Sequence, residues 1–246
     1  MPWPYPRWIA HRGAGKLAPE NTLAAFRLGA AHGYRMFECD IKLSADRVPF
    51  LLHDDTLERT TNGQGLAGEL SWNELSRLDA GSRHSPAYTG EPLANLEAVA
   101  HFCIDNALFL NIEIKPTPGS ESLTGTVVAN VAARLWAEAP PRHMPLLSSF
   151  QPESLEAAQI AQAHLPRALL LETLQPGWLE TALRLGCVAV VGKHTQWDAV
   201  SVQQAQSASL KVISYTVNEE SAVDQLWALG TDGIITDRVD VFSPTS

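Results

Sequence analysis

Short runs rich in Val, Ile and Leu recur along the chain, and the longer stretches between them carry apolar residues at helical spacing. That alternation predicts parallel strands joined by crossover helices. Strands are expected at Trp8 to Ala10, Met36 to Leu43, Phe109 to Lys115, Pro145 to Ser149, Arg167 to Leu171, Val188 to Val191, Lys211 to Thr216 and Gly233 to Thr236. These are eight segments, the number that closes a TIM (β/α)8 barrel. Asn21 is placed to cap a helix running through Ala25, Leu28 and Ala31 to Gly33. Gln151-Pro152-Glu153 opens another, and Asn218 caps a third through Val223, Leu226 and Leu229 to Gly230.

One interval breaks the rhythm. Positions 44–94 are far too long for an ordinary barrel loop, usually about 2–6 residues. Within it Val48 to His53 looks like an extra strand, followed by TTNGQG, SWNELSRL and a Pro/Gly-rich tail. The expected organisation is therefore one barrel domain over 1–246, with a small insertion at the mouth after the second strand. The 246 residues suit a barrel of about 250, and 45% hydrophobic against 18% charged residues supplies a core.

The net charge of −9 argues against a surface that gathers nucleic acid or anionic lipid by general attraction. A phosphate group would need a local site of cations or metal. Cys39, Cys103 and Cys187 lie in apolar segments without metal-type spacing and read as buried thiols. The segment Met1 to Pro6 lacks the form of a secretory signal, and no stretch reaches the roughly 18 apolar residues of a membrane span. A cytoplasmic location without stable membrane association is expected.

Three clusters at predicted strand ends carry chemistry. His11-Arg12-Gly13 follows the first strand, where a barrel presents catalytic side chains; the Arg12 guanidinium suits two phosphate oxygens. On the second strand Glu38 and Asp40 project to one face while Phe37, Cys39 and Ile41 take the other. Paired carboxylates inside a barrel are costly unless a cation or a base compensates them. Glu113, with Asn111 and Lys115 on its face, adds a third carboxylate at the same end, making an oxygen site for Mg²⁺ or Ca²⁺. Lys115 can neutralise a phosphate oxygen. His53, at the end of the extra strand, can complete an acid and base pair with His11. His32, His101 and His164, in predicted helices, and His84, His143 and His194, in loops, read as structural.

These residues fall into a known series. His11-Arg12-Gly13, Pro19-Glu20-Asn21-Thr22, Glu38-x-Asp40, His53-Asp54, Arg59-Thr60-Thr61-Asn62-Gly63 and Glu113-x-Lys115 resemble the glycerophosphodiester phosphodiesterase family in order and spacing. The resemblance continues through Ser149-Phe150, Thr216-Val217-Asn218 and Asp232-Gly233-Ile234-Ile235-Thr236-Asp237, almost end to end. It implies a TIM barrel with an insertion, a divalent metal on Glu38, Asp40 and Glu113, acid and base roles for His11 and His53, and phosphate binding by Arg12 and Lys115. The implied reaction hydrolyses a small-molecule glycerophosphodiester to sn-glycerol 3-phosphate and an alcohol. Where the family often has Trp before Thr-Val-Asn this chain has Tyr215, and where it often has Thr then Asp-Gly after the paired acids it has Ser44 and Asp46-Arg47.

Rival readings are a lysophospholipase D or sphingomyelinase D-like lipid phosphodiesterase, a metal-dependent sugar isomerase, and a non-catalytic phosphate-binding barrel. The first needs a means to engage acyl chains, the second leaves His11-Arg12 unexplained, and the third requires a missing catalytic group.

Overall fold

The computed structural model describes residues 3–244, so the outermost residues of the expected 1–246 domain, including Met1 and Pro2 of the Met1 to Pro6 segment, lie outside the described residues. The strands are β1 (Trp8–Ala10), β2 (Met36–Leu43), β3 (Pro49–Leu51), β4 (Phe109–Ile114), β5 (Leu146–Ser149), β6 (Arg167–Leu171), β7 (Ala189–Lys193), β8 (Lys211–Tyr215) and β9 (Gly233–Thr236). All but β3 pair in parallel, and β1 bonds to both β9 and β2, which closes the eight-stranded barrel. β3 is the extra strand; it runs antiparallel on β2, with Ile41 opposite Leu51.

Alternation along the strands sorts the core into two clusters. Ile9, Met36, Leu146, Leu170, Val191, Ile213 and Ile235 pack together with Tyr5 in one cluster, which fills the lower barrel interior. Phe37, Cys39, Ile41, Ile112, Ile114 and Leu147 belong to the other, packed against the helices. On β2 the inward series therefore runs Met36, Glu38, Asp40, Lys42, from apolar floor to charged mouth, with every residue of the strand buried. Tyr5 donates its hydroxyl to the Met144 carbonyl at 2.9 Å and sets its ring edge-on to Phe109, which stacks on His143.

The surrounding helices are α1 (Leu23–Ala31), α2 (Trp72–Leu75), α3 (Leu96–Asp105), α4 (Glu121–Leu135), α5 (Pro152–Ala161), α6 (Trp178–Arg184), α7 (Ala199–Ser207) and α8 (Glu220–Leu229). α5 opens at Pro152 and α8 ends at Gly230 with φ 82°, both as expected. Two capping assignments are corrected. Thr22 caps α1, its hydroxyl accepting from Ala25 N–H, while Asn21 sits just outside with φ 60°. α8 starts after Glu219, and Asn218 is committed elsewhere. β7 lies later than expected, at Ala189–Lys193, and His164 falls in a turn after α5. The three cysteines are buried and free.

Between β2 and β4 the long segment holds β3, α2 and several tight turns, with its own apolar cluster of Phe50, Leu52, Leu57, Ala67, Leu75, Ala80 and Leu93. No helix among the described residues is long and apolar enough to cross a membrane.

Arg167, at the start of β6, is a buried cation with no acidic partner among the described residues. It donates to the carbonyls of Leu185 (3.0 Å), Leu165 (2.7 Å), Ala163 (3.2 Å) and Gly186 (3.4 Å), collecting the chain ends that follow α5 and α6. Arg167→Met would leave those carbonyls without their donors. Urea denaturation should show a loss of roughly 2–4 kcal/mol, since bonds to charged groups contribute about 1.5–3 kcal/mol each but are only partly additive.

Candidate active site

The register of β2 with β4 assembles the acidic cluster. Glu38 lies opposite Asn111 and Asp40 opposite Glu113, so inward positions coincide and the carboxylates meet above the apolar floor. One oxygen from each of Glu38, Asp40 and Glu113 lies within 4.8 Å of the others. All three residues are buried, and Glu38 Oε1 has no hydrogen-bond partner among the described residues. Three confined anions with an orphaned oxygen form a donor set suited to a hard divalent cation.

The local charges divide the trio. Burial pushes the Glu38 carboxyl well above its usual range, with repulsion from Asp40 and Glu113 adding to it. Burial likewise pushes Glu113 up to about 7, helped by Asp40. For Asp40 burial acts upward too, but Arg12, Lys115, His53 and the Asn21 amide outweigh it and hold the carboxyl at about 2. Asp40 is thus the permanent anion of the cluster, whereas Glu38 and Glu113 give up their protons less readily than an ordinary carboxyl.

The turn after β1 delivers His11 and Arg12. Arg12 adopts φ 51° and Gly13 φ 99°, and a Cβ on Gly13 would lie 2.7 Å from the Ala25 side chain, so only glycine lets this turn press onto α1. The Arg12 backbone N–H donates to Glu38 Oε2 at 3.1 Å. Its guanidinium pairs with Glu20 at 2.9 Å, and its Nε sits 3.1 Å from Asp40 Oδ2. Lys115 Nζ lies 3.4 Å from Glu113 and 3.6 Å from Asp40. His11 places Nε2 3.8 Å from Glu38 Oε2. All the expected site residues except His53 therefore make a direct contact within this cluster.

His53 stands at the rim, beside a cavity of about 440 Å³ that it shares with Lys42, Glu113, Lys115 and Phe150. Burial lowers its imidazole pKa, and although Asp40 raises it, the sum remains below the usual value, favouring the neutral ring at pH 7. Each histidine has its own carboxylate: His53 Nδ1 lies 2.7 Å from Asp54 Oδ1, and His11 Nδ1 lies 2.7 Å from Asp237 Oδ1. A carboxylate on Nδ1 fixes the proton there and leaves Nε2 for exchange with a substrate.

Sequence reasoning gave no part in the site to several residues that complete this arrangement. Asp237 is anchored by Asn218, whose Nδ2 donates to Oδ2 at 3.0 Å and whose Oδ1 accepts from the Asp237 N–H. Asn21 donates to Asp40 Oδ2 at 2.8 Å. Arg59 bridges Glu20 and Asp54, joining the long segment to the β1 turn. Lys42, buried on the same face of β2, pairs with Asp55 and also donates to the Lys115 carbonyl at 3.4 Å. Alternation alone exposes Lys42, two positions beyond Asp40; the others stood inside recognised motifs but needed the fold to reveal their partners. Tyr215 closes the far side, edge-on to Phe150 at 5.8 Å. Burial pushes its phenol up to about 12, with Glu172 and Glu113 contributing, and the hydroxyl donates to the Leu171 carbonyl at 3.1 Å.

A (β/α)8 barrel with this mouth is of the phosphoric diester hydrolase class. The model of the glycerophosphoryl diester phosphodiesterase family matches residues 11–241, and the chain belongs to that family. The Bacillus subtilis protein YhdW is 34% identical over 94% of both chains. A glycerophosphodiester phosphodiesterase of Caldanaerobacter subterraneus subsp. tengcongensis is 30% identical over 93% of both. Among solved structures, an Oleispira antarctica phosphodiesterase in complex with the product sn-glycerol-3-phosphate superposes with a TM-score of 0.91 at 32% identity, covering 98% of this chain and 96% of that one.

Proposed function

We propose that the chain hydrolyses glycerophosphodiesters to sn-glycerol 3-phosphate and an alcohol at the mouth formed by β1, β2, β4 and the rim at His53. The observation that carries this reading is the three-carboxylate cluster flanked by two histidines, each held by its own carboxylate. The product-bound Oleispira structure supports the substrate class.

Glu38, Asp40 and Glu113 would hold the divalent cation, Mg²⁺ or Ca²⁺, which when bound supplies Lewis-acid polarisation of the phosphoryl oxygens. Arg12 and Lys115 bind the remaining oxygens and offset the negative charge that grows in the pentacoordinate transition state. One histidine removes a proton from the attacking hydroxyl and the other protonates the departing oxygen, so both alternate between neutral and cationic forms. Asp237 and Asp54 stabilise those cations and keep each ring presenting Nε2. The attacking hydroxyl is either water or the substrate's own glycerol 2-hydroxyl, the latter giving a cyclic diester that water then opens.

Release of glycerol 3-phosphate from glycerophosphocholine should require added Mg²⁺ or Ca²⁺ and stop with a chelator. Lysophosphatidylcholine should be cleaved far more slowly. Metal-independent release would remove the role of the carboxylates, and preference for the lysolipid would favour the lipid phosphodiesterase reading.

A further inference from the structure

Arg59 lies in a tight turn of the long segment after β3, closed where Thr61 donates its N–H (3.0 Å) and its hydroxyl (2.7 Å) to the Leu57 carbonyl. Leu57 and Thr61 are fully buried, so the turn is fixed at both ends while the arginine side chain, half exposed, reaches across the mouth. Its guanidinium is committed to two carboxylates, one along each edge. Nη1 and Nη2 donate to Glu20 Oε2 and Oε1 at 2.7 and 2.8 Å, and Nε and Nη2 donate to Asp54 Oδ2 and Oδ1 at 2.6 and 3.1 Å. Four of the five N–H donors of an arginine are thereby used.

The two oxygens that share Nη2 are the ones that reach the site. Glu20 Oε1 also accepts from Arg12 Nη1 at 2.9 Å, and Asp54 Oδ1 lies 2.7 Å from His53 Nδ1. The His53 ring has Asp54 as its one hydrogen-bond partner among the described residues, and the Asp54 carboxylate bonds to His53 and Arg59. Arg59 therefore stands to Asp54 as Asn218 stands to Asp237, holding the carboxylate that holds the ring. Its bond also keeps the Asp54 carboxyl well below the usual range, although burial pushes it up. Half-exposed ion pairs contribute little to stability, because water screens them and the side chains lose freedom in forming them. Their effect on geometry is larger, since a reacting group misplaced by about 1 Å loses on the order of a hundredfold in rate.

We infer that Arg59 is a positioning residue that sets His53 and Arg12 in register with each other, its guanidinium plane fixing the span between the imidazole at the rim and the guanidinium of the β1 turn. The inference rests on the phosphodiesterase reading above, in which the first moves a proton and the second binds phosphate. A point charge cannot replace it, because an ammonium offers no second edge.

The test measures kcat, KM and melting temperature for the wild type, Arg59→Met and Arg59→Lys, and for Arg59→Met in an Asp54→Asn background. Arg59→Met should lower kcat/KM for glycerophosphodiesters by about a hundredfold, divided between a lower kcat through His53 and a higher KM through Arg12, and melt within about 4 °C of the wild type. Arg59→Lys should recover little of either constant. With Asp54→Asn already severing the route to His53, adding Arg59→Met should change kcat by less than about threefold and still raise KM. Normal constants in Arg59→Met, full recovery in the lysine variant, or the same loss of kcat with and without Asp54→Asn overturns the positioning role. A melting temperature that falls in step with activity does so too, making the bridge a structural tie. Calorimetric binding of sn-glycerol 3-phosphate with Mg²⁺ present, which needs no turnover, should weaken about tenfold in Arg59→Met, and unchanged binding overturns the link to Arg12. A wild type that binds this product yet releases none from any diester overturns the hydrolase reading, and the bridge is then judged on that binding.

Discussion

His11→Ala and His53→Ala should each lower turnover of glycerophosphodiesters by about a hundredfold or more, the contribution of a positioned acid or base, with little change in circular dichroism or melting temperature. Neither ring belongs to the buried apolar core, and His53 lies in a solvent-open rim, so truncation removes chemistry without opening a cavity in the core. The histidine partners give a graded control. Asp237 is held below the usual carboxylate range, because its bonds from His11 and Asn218 outweigh the upward push of burial, and so stays anionic across the working range. Asp237→Asn should keep the ring in place but withdraw the charge that supports its cationic form, costing less than His11→Ala. Near-normal turnover in either alanine variant would contradict the two-histidine mechanism.

Glu113→Gln should abolish metal-dependent activity and yet make the metal-free protein more stable, by on the order of 2 kcal/mol. Burial and Asp40 raise the Glu113 pKa from 4.5 to about 7, so the folded state binds its proton more tightly than the unfolded chain does. The stability this provides is complete below pH 4.5 and is lost as pH rises through about 7. Glutamine has no such proton to lose. Metal-free wild type should therefore melt at a lower temperature at pH 8 than at pH 5, and the variant should show a flatter profile. Saturating Mg²⁺ or Ca²⁺ should raise the melting temperature of the wild type, more strongly at pH 8 because the cation must displace protons, and should hardly move that of the variant. A variant that melts below the metal-free wild type at pH 8 would show that the carboxylates do not repel one another as described.

Much of this was legible from the chain. Strand periodicity located all eight barrel strands, with errors of at most two residues at their ends, because each strand is buried on both faces and bounded by turns. Alternation placed Glu38 and Asp40 on one face, and the barrel register carried Glu113 to them. What escaped were pairings between residues remote in sequence. Asn21 and Asn218 both look like helix caps locally, since a short amide before an apolar run suits that role; the fold spends them instead on Asp40 and Asp237. Neither Asp54 nor Arg59 announces its partner, because the contacts among Arg59, Asp54 and Glu20 depend on how the segment after β3 lies across the mouth.

The seam of the barrel has a biosynthetic consequence. β1 precedes every other stave of the barrel in the chain, yet it must wait for β9, and His11 waits for Asp237, a carboxylate 226 positions downstream. Closure and the completion of that dyad are thus coupled to arrival of the same late segment, and such distant contacts are slow to form. A product terminated before Gly233 would carry both histidines and all three acids but neither the last stave nor the aspartate, so a single late segment supplies both the closure of the wall and the support for the first imidazole.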